Sequence, residues 1–171
     1  MNKIIIDGKE YELSDELAEK IKAEVALQDI ERQMSENPFE RKVGDSYFYI
    51  SSRMDVYTTN DVGIDSDTLR FDTANYCRDK ELMEQRALHE TLNRLLWRYS
   101  ENHGGDNAWN PQNLQDHYYI YLDTQNSVLY SFYNDAHRVE GVVYFKNEAT
   151  AEAAIEEVVK PFMAAHPEFV W

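Results

Sequence analysis

The chain reads as an α+β protein: an N-terminal hairpin and helix followed by two βββα repeats, each an antiparallel meander packed by one helix. Three observations lead there. A long amphipathic segment from Asp79 to Ser100 separates two stretches that alternate with period two. The second stretch repeats the element order of the first, with Tyr49-Ile50 matched by Tyr119-Ile120 and with Glu84 and Ala87 matched by Glu152 and Ile155. Asp7-Gly8 falls between two short apolar runs, where a tight hairpin turn needs residues that tolerate positive φ. Three segments follow: 1–40, a hairpin and acidic helix; 44–103, the first βββα unit; and 114–171, the second, packed with it as one body.

Taken in order, Ile4–Ile6 and Glu10–Leu13 are the arms of the hairpin. Ser14 caps a helix that carries Asp15 and Glu16 in its first turn and ends before Asn37-Pro38. Leu17, Ile21 and Val25 line one side of it, and Leu27, Ile30 and Met34 lie nearly opposite. A helix on a single core shows one stripe. Either the two ends of this helix serve one core differently, or the Leu27, Ile30 and Met34 stripe packs on a second copy; a homodimer is expected on the latter reading.

Tyr47–Ile50 and Val56–Thr59 are strands joined by a turn at Ser52–Asp55. Residues 60–67, NDVGIDSD, read as a polar, solvated acidic loop, and Leu69–Cys77 as a third strand. In the central helix Leu88, Leu92, Leu95, Leu96 and Tyr99 share one side, Asp79 is the N-cap, and Gly104-Gly105 ends it. Arg86, Glu90 and Arg94 are spaced for i,i+4 ion pairs. The second unit repeats the plan with strands at Tyr118–Leu122, Ser127–Phe132 and Gly141–Phe145, and with Asn147 capping the last helix. Its stripe is Ala151, Ala154, Ile155, Val158, Val159 and Phe162, and Pro161 should kink or end it. Phe48, Ile50, Tyr118, Ile120 and Leu122 then face inward, while Tyr47, Tyr49, Tyr119 and Tyr121 face the other way. Large amphipathic rings on an open sheet face are interface-like; packing of the two sheets together, or cover by the N-terminal helix, is the competing reading.

Composition narrows the function classes. A formal charge of −15 opposes direct nucleic-acid binding, which needs a cationic footprint. It suits a soluble protein that meets a basic partner, or one kept apart by repulsion alone. Cys77 is the single cysteine, so no intrachain disulfide forms and a reducing cytoplasm is the natural setting. No apolar run approaches membrane-spanning length.

Catalytic signals are absent. His89-Glu90-Thr91-Leu92-Asn93 resembles the HExxH zinc pattern but ends in Asn, a poor ligand. Asp61, Asp65 and Asp67 do not follow the calcium-loop order, because Gly63 stands where a ligand belongs. There is no glycine-rich phosphate loop and no credible Cys–His pair, so no enzyme activity, cofactor or metal is expected. Acid is unevenly spread: residues 7–40 hold eleven Asp/Glu against four Lys/Arg. Asp55, Asp61, Asp65 and Asp67 form a second group. Rows of carboxylates can occupy a cationic nucleic-acid channel in place of phosphates, as a DNA mimic does, although a solvated surface has the same composition.

The stretches IIIDGKEYELSDELAEKIK, NPFER, YFYISS, ANYCRDKELMEQRALHETLNRLLWRYS, GVVYFKNEATAEAAIEEVVKPF and HPEFVW together resemble small proteins encoded by phages, prophages and mobile elements of Clostridia-like bacteria. The resemblance spans nearly the whole chain and carries over no catalytic residue. It implies an accessory protein acting in the host cytoplasm against a defence system, anti-CRISPR inhibitors of Cas nucleases being one such class. The function expected is therefore non-enzymatic inhibition of a basic host protein. The binding residues would be Asp55, Asp61, Asp65, Asp67, Tyr47, Tyr49, Tyr119 and Tyr121, with Leu27, Ile30 and Met34 for dimerisation. The alternative is an oligomeric sponge that traps a nucleotide immune signal in an aromatic pocket, its charge balanced by Arg53, Arg70 or Arg138. A packaging or replication scaffold is a third class.

Overall fold

The computed structural model describes residues 2–6, 9–24, 37–107, 115–134 and 138–171. It is mixed α+β and divides into two compact units, Met1–Lys42 and Val43–Trp171.

In the first unit, β1 (Asn2–Ile6) pairs antiparallel with β2 (Lys9–Leu13) from Asn2↔Leu13 to Ile6↔Lys9. That register leaves two residues for the connection, the length that Asp7-Gly8 supplies. The Ser14 hydroxyl accepts from the Leu17 amide at 3.3 Å and starts helix α1, residues 15–24. The expected continuation to Glu36, with Leu27, Ile30 and Met34, lies outside the described residues.

The second unit is built on two sheets and one long helix. β3 (Ser46–Ile50) and β4 (Val56–Asn60) pair antiparallel through a turn in which Met54 takes a positive φ of 71°. The expected third strand at Leu69–Cys77 is not there: its first four residues are the end of helix α2 (Asp65–Asp72) and a turn follows. The alternation Leu69-x-Phe71 suggests a strand, yet the local chemistry favours a helix start. Asp65 and Asp67 stand in the positive first turn, Arg70 stands in the last, and Asp67 reaches back to the amide of the N-cap, Ile64. What remains of the third strand is a single bridge. Phe48 and Cys77 exchange main-chain bonds at 2.7 and 3.1 Å. Asn75 extends it with its side-chain amide, which accepts from the Ile50 amide at 2.7 Å and donates to the Ile50 carbonyl at 2.8 Å. The first half is thus not a βββα unit.

Helix α3 (Lys80–Asn102) opens where Asp79 accepts from the Leu82 amide at 3.0 Å. Past its C-cap at His103, Gly104 and Gly105 adopt φ of 96° and 43°, conformations a Cβ would strain. Glu90 pairs with Arg86 at 3.0 Å and with Arg94 at 3.9 Å. The helix serves two clusters. Met83 and Ala87 pack with Ile50 and Cys77 under the first sheet, whereas Leu92 and Leu96 enter the larger core around Ile120, Phe145 and Phe162. Met83 and Leu92 are nine positions apart, about 180° around a helix, so opposite sides of one rod hold the two sheets. Met83, which lies off the main stripe, is the first cluster's anchor; Trp97, also off it, is exposed.

The second sheet has the order β6-β5-β7, with β5 (His117–Asp123) between β6 (Val128–Asn134) and β7 (Tyr144–Phe145). A meander would place β6 in the middle. Instead β7 is drawn to the far side of β5, where the Tyr144 amide donates to Asn107 Oδ1 at 2.8 Å and its carbonyl accepts from the Ser100 hydroxyl. Asn147 accepts from the Thr150 amide at 2.9 Å and caps α4 (Glu148–Ala154). The expected kink at Pro161 takes another form. Residues Ile155–Val159 widen into a π-helical turn before α5 (Lys160–Ala165). Proline offers no N–H and its ring crowds the carbonyl four residues back, and a wider turn accommodates both. The stripe Ala151, Ala154, Ile155, Val159 and Phe162 stays buried through this change. The tail returns to α3, where the Gln85 amide donates to the Glu168 carbonyl at 2.6 Å and accepts from the Val170 amide at 3.0 Å.

Candidate interaction surface

The residues expected to meet a partner fall into two sets. On the outer face of β3, the Tyr47 hydroxyl donates to Asp67 Oδ1 at 2.7 Å and accepts from Arg70 Nη1 at 2.7 Å. Asp67 Oδ2 accepts from the amides of Val62 at 3.0 Å and Ile64 at 3.3 Å. Tyr76 stacks on Tyr47 with centroids 4.1 Å apart, and the Arg70 guanidinium lies 3.8 Å from the centre of the Tyr49 ring. Burial raises the Tyr47 phenol above its ordinary pKa, and the hydrogen bond from Tyr47 is the main reason the Asp67 carboxyl is held below its own. These groups spend their polar atoms on one another. The arrangement latches α2 onto the sheet.

Three expected binding residues are thereby corrected. Tyr47 and Asp61 are 0% exposed and Asp67 is 2% exposed. Asp61 bonds the Gly63 amide at 2.9 Å through its side chain and the Gly44 amide at 2.7 Å through its carbonyl. The segment 60–67 is therefore a folded turn and helix start whose carboxylates point partly inward, not a solvated loop. Asp55 and Asp65 are exposed, and Tyr49 is half-buried beneath Arg70. Arg70, one of the cations that would balance an anionic ligand, is committed to this latch. Cys77 is buried, which raises its thiol pKa and leaves it unreactive.

The second sheet differs. Its inner face, with Ile120 and the partly buried Tyr118 and Leu129, closes the larger core. On the other face the register aligns Tyr119 with Phe132 and Tyr121 with Tyr130. Tyr119 is half-buried, but Tyr121, Tyr130 and Phe132 are 51%, 45% and 52% exposed. Tyr119 meets Phe132 at 5.9 Å and Tyr121 meets Phe132 at 6.3 Å, so the rings form a continuous aromatic patch. No described segment covers it. Tyr119 and Tyr121 were legible from alternation; Tyr130 and Phe132 were missed because their membership depends on cross-strand register, although the same alternation in SVLYSFYN marks them.

Two hollows flank this region. One, about 360 Å³, lies between α3 and residues 141–145 and is lined by Leu92, Leu96, Ile120 and Phe145, with His89 and Glu90 at its rim. No Lys or Arg among the described residues lines it, so it does not suit a phosphate-bearing ligand. The other lies between β6 and α4. Among the described residues no group of three or more His, Cys, Asp or Glu could hold a metal, and no helix is long and apolar enough to cross a membrane. No protein-family model, curated protein or solved structure matches the chain.

Proposed function

We propose that the chain is a non-enzymatic binding protein that engages a basic protein partner. The observation that carries this reading is the aromatic patch of Tyr119, Tyr121, Tyr130 and Phe132, exposed on a chain of net charge −15. Exposed rings gather at the centre of protein interfaces, and net negative charge steers a cationic partner toward them. The resemblance to phage and mobile-element proteins supports a reading in which it acts in the host cytoplasm against a defence component, with a CRISPR Cas nuclease as the target class. Asp55, Asp65, Tyr49, Tyr119 and Tyr121 stay in the proposed surface. Homodimerisation through Leu27, Ile30 and Met34 belongs to the same proposal, and sedimentation of the wild type against Ile30→Asp tests it.

We also infer that residues 43–171 hold two diverged copies of one plan. In support, the Phe48↔Cys77 bridge precedes the Asp79 cap as the Tyr118↔Phe145 pair precedes the Asn147 cap.

The test is titration of the purified chain against a purified Cas nuclease–guide complex at low and high salt. A stoichiometric complex that weakens steeply with salt is expected, and it should be lost in Tyr121→Ser/Phe132→Ser. Binding indifferent to both changes, or no binding to any cationic nuclease tested, overturns the reading.

A further inference from the structure

Strand β6 ends its sheet. Among the described residues it pairs with β5 alone, so its outer main-chain groups face no described strand. The opposite edge is closed, since Ser100 and Asn107 take the outward carbonyl and amide of Tyr144 on β7. Open edges are ordinarily protected by charge, proline or a bulge. β6 reads VLYSFYN: seven residues, uncharged, with no proline. β4 is also an edge, but it is shorter, five residues.

Beside β6 runs a groove of about 710 Å³ whose far wall is α4 and the π turn. Glu148, Glu152 and Glu156 line it, one per turn, with Lys160, paired to Glu156, the one cation among the described residues that line it. Carboxylates spaced this way repel one another along the helix. A strand laid in the groove would offer its backbone to β6 and alternate side chains to the glutamates.

Resting on the binding role proposed above, we infer that the β6–α4 groove takes an extended basic segment of the partner, which adds to the sheet as a further strand. The charges select the occupant. A second copy of this chain would bring its own glutamates against these and be repelled, whereas Lys or Arg on alternate positions of a partner strand meets Glu148 and Glu152. Tyr130 lines the groove and also belongs to the aromatic patch on the outer face of β6, so the segment lies beside that patch.

Fluorescence anisotropy with a labelled alternating Lys–Val peptide and the full chain tests this. The same peptide N-methylated at consecutive residues keeps its charge and side chains but has no main-chain N–H left on either edge with which to pair as a strand. Binding should weaken at least tenfold on N-methylation and at least tenfold in Glu152→Lys, with a smaller loss in Glu152→Gln. Asp72→Lys, the same charge change at an exposed position of α2 that does not line the groove, should stay within about twofold. Circular dichroism confirms that each variant is folded. Equal binding of the N-methylated peptide, or an undiminished affinity of Glu152→Lys, overturns the strand-addition site. Nuclease binding that survives Glu152→Lys but fails in Tyr121→Ser/Phe132→Ser removes the groove and keeps the broader reading; failure of the wild type to bind any cationic protein removes both.

Discussion

The two sheets of the second unit present the same kind of residue to their far sides and meet opposite fates. On the β3–β4 sheet the outward tyrosine, Tyr47, is shut in by α2, by Tyr76 and by the Asp67–Arg70 pair. On the β5–β6 sheet the outward rings, Tyr121, Tyr130 and Phe132, are about half exposed. The difference is one inserted helix. Where α2 lies across a sheet, a tyrosine becomes a buried hydrogen-bonding group and part of the fold's stability. Where no described segment crosses, the same side chain is surface that a partner can bury. Exposed aromatic area on a folded chain is thus informative only after its intramolecular cover has been accounted for.

The sharpest way to break the contrast is to truncate one tyrosine on each sheet. Tyr47→Ala removes a fully buried ring and opens a cavity against Tyr76, and it should cost about 3–5 kcal/mol in chemical denaturation. Tyr121→Ala removes a ring half in water and should change stability by about 0.5 kcal/mol or less. Similar losses at both positions would mean that the second face is covered after all.

Asp67→Asn comes next. The Asp67 carboxyl is held below its ordinary pKa by the Tyr47 hydrogen bond, burial opposing and the Val62 and Ile64 amides adding to the effect. For an acid with a depressed folded pKa, the stabilisation is present above the unfolded value, about 3.9, and is lost as pH falls through the folded value. Thermal scans of the wild type from about pH 5 to about pH 2.5 should therefore show a loss that Asp67→Asn lacks. The comparison between the two proteins matters more than either curve, because acid also relieves the repulsion of a chain at −15. Parallel curves for the two would show that the carboxylate is not what latches α2.

Much of this was legible in sequence, and the failures have local causes. The Asp79 and Asn147 caps, the Arg86–Glu90–Arg94 pairs and the inward placing of Ile120 follow from patterns a few residues long. Leu69–Cys77 failed because a short alternating run fits a strand and a one-sided helix alike, and the contact that holds the helix on the sheet, from Tyr47 to Asp67, comes from elsewhere in the chain. The meander failed because strand order depends on what binds the last edge. Asn107 and Ser100 do that at β7, and neither belongs to a recognisable motif. The acidic run 60–67 looked solvated because composition cannot report direction: Asp65 points out while Asp61 and Asp67 point in.

Tyr47→Phe sharpens the same boundary at smaller cost. It keeps the ring and its stacking but removes the hydroxyl that donates to Asp67 Oδ1 and accepts from Arg70 Nη1, worth about 1–3 kcal/mol. The equivalent change on the open sheet, Tyr121→Phe, removes a hydroxyl that water already satisfies, and stability should move by less than about 0.5 kcal/mol. Affinity for a partner separates the two substitutions in the other direction. If the β5–β6 face is the interface, Tyr121→Ser loses buried ring area on complex formation and should weaken binding at least tenfold, about 1.4 kcal/mol. Tyr47→Phe, folded and with its ring in place, should leave binding within about twofold. Calorimetric titration of both variants against one cationic partner reads the two outcomes together. A loss of affinity in Tyr47→Phe with none in Tyr121→Ser would move the interface to the α2 side of the molecule, where Arg70 and Tyr49 meet solvent, and would make the latch itself the recognition element.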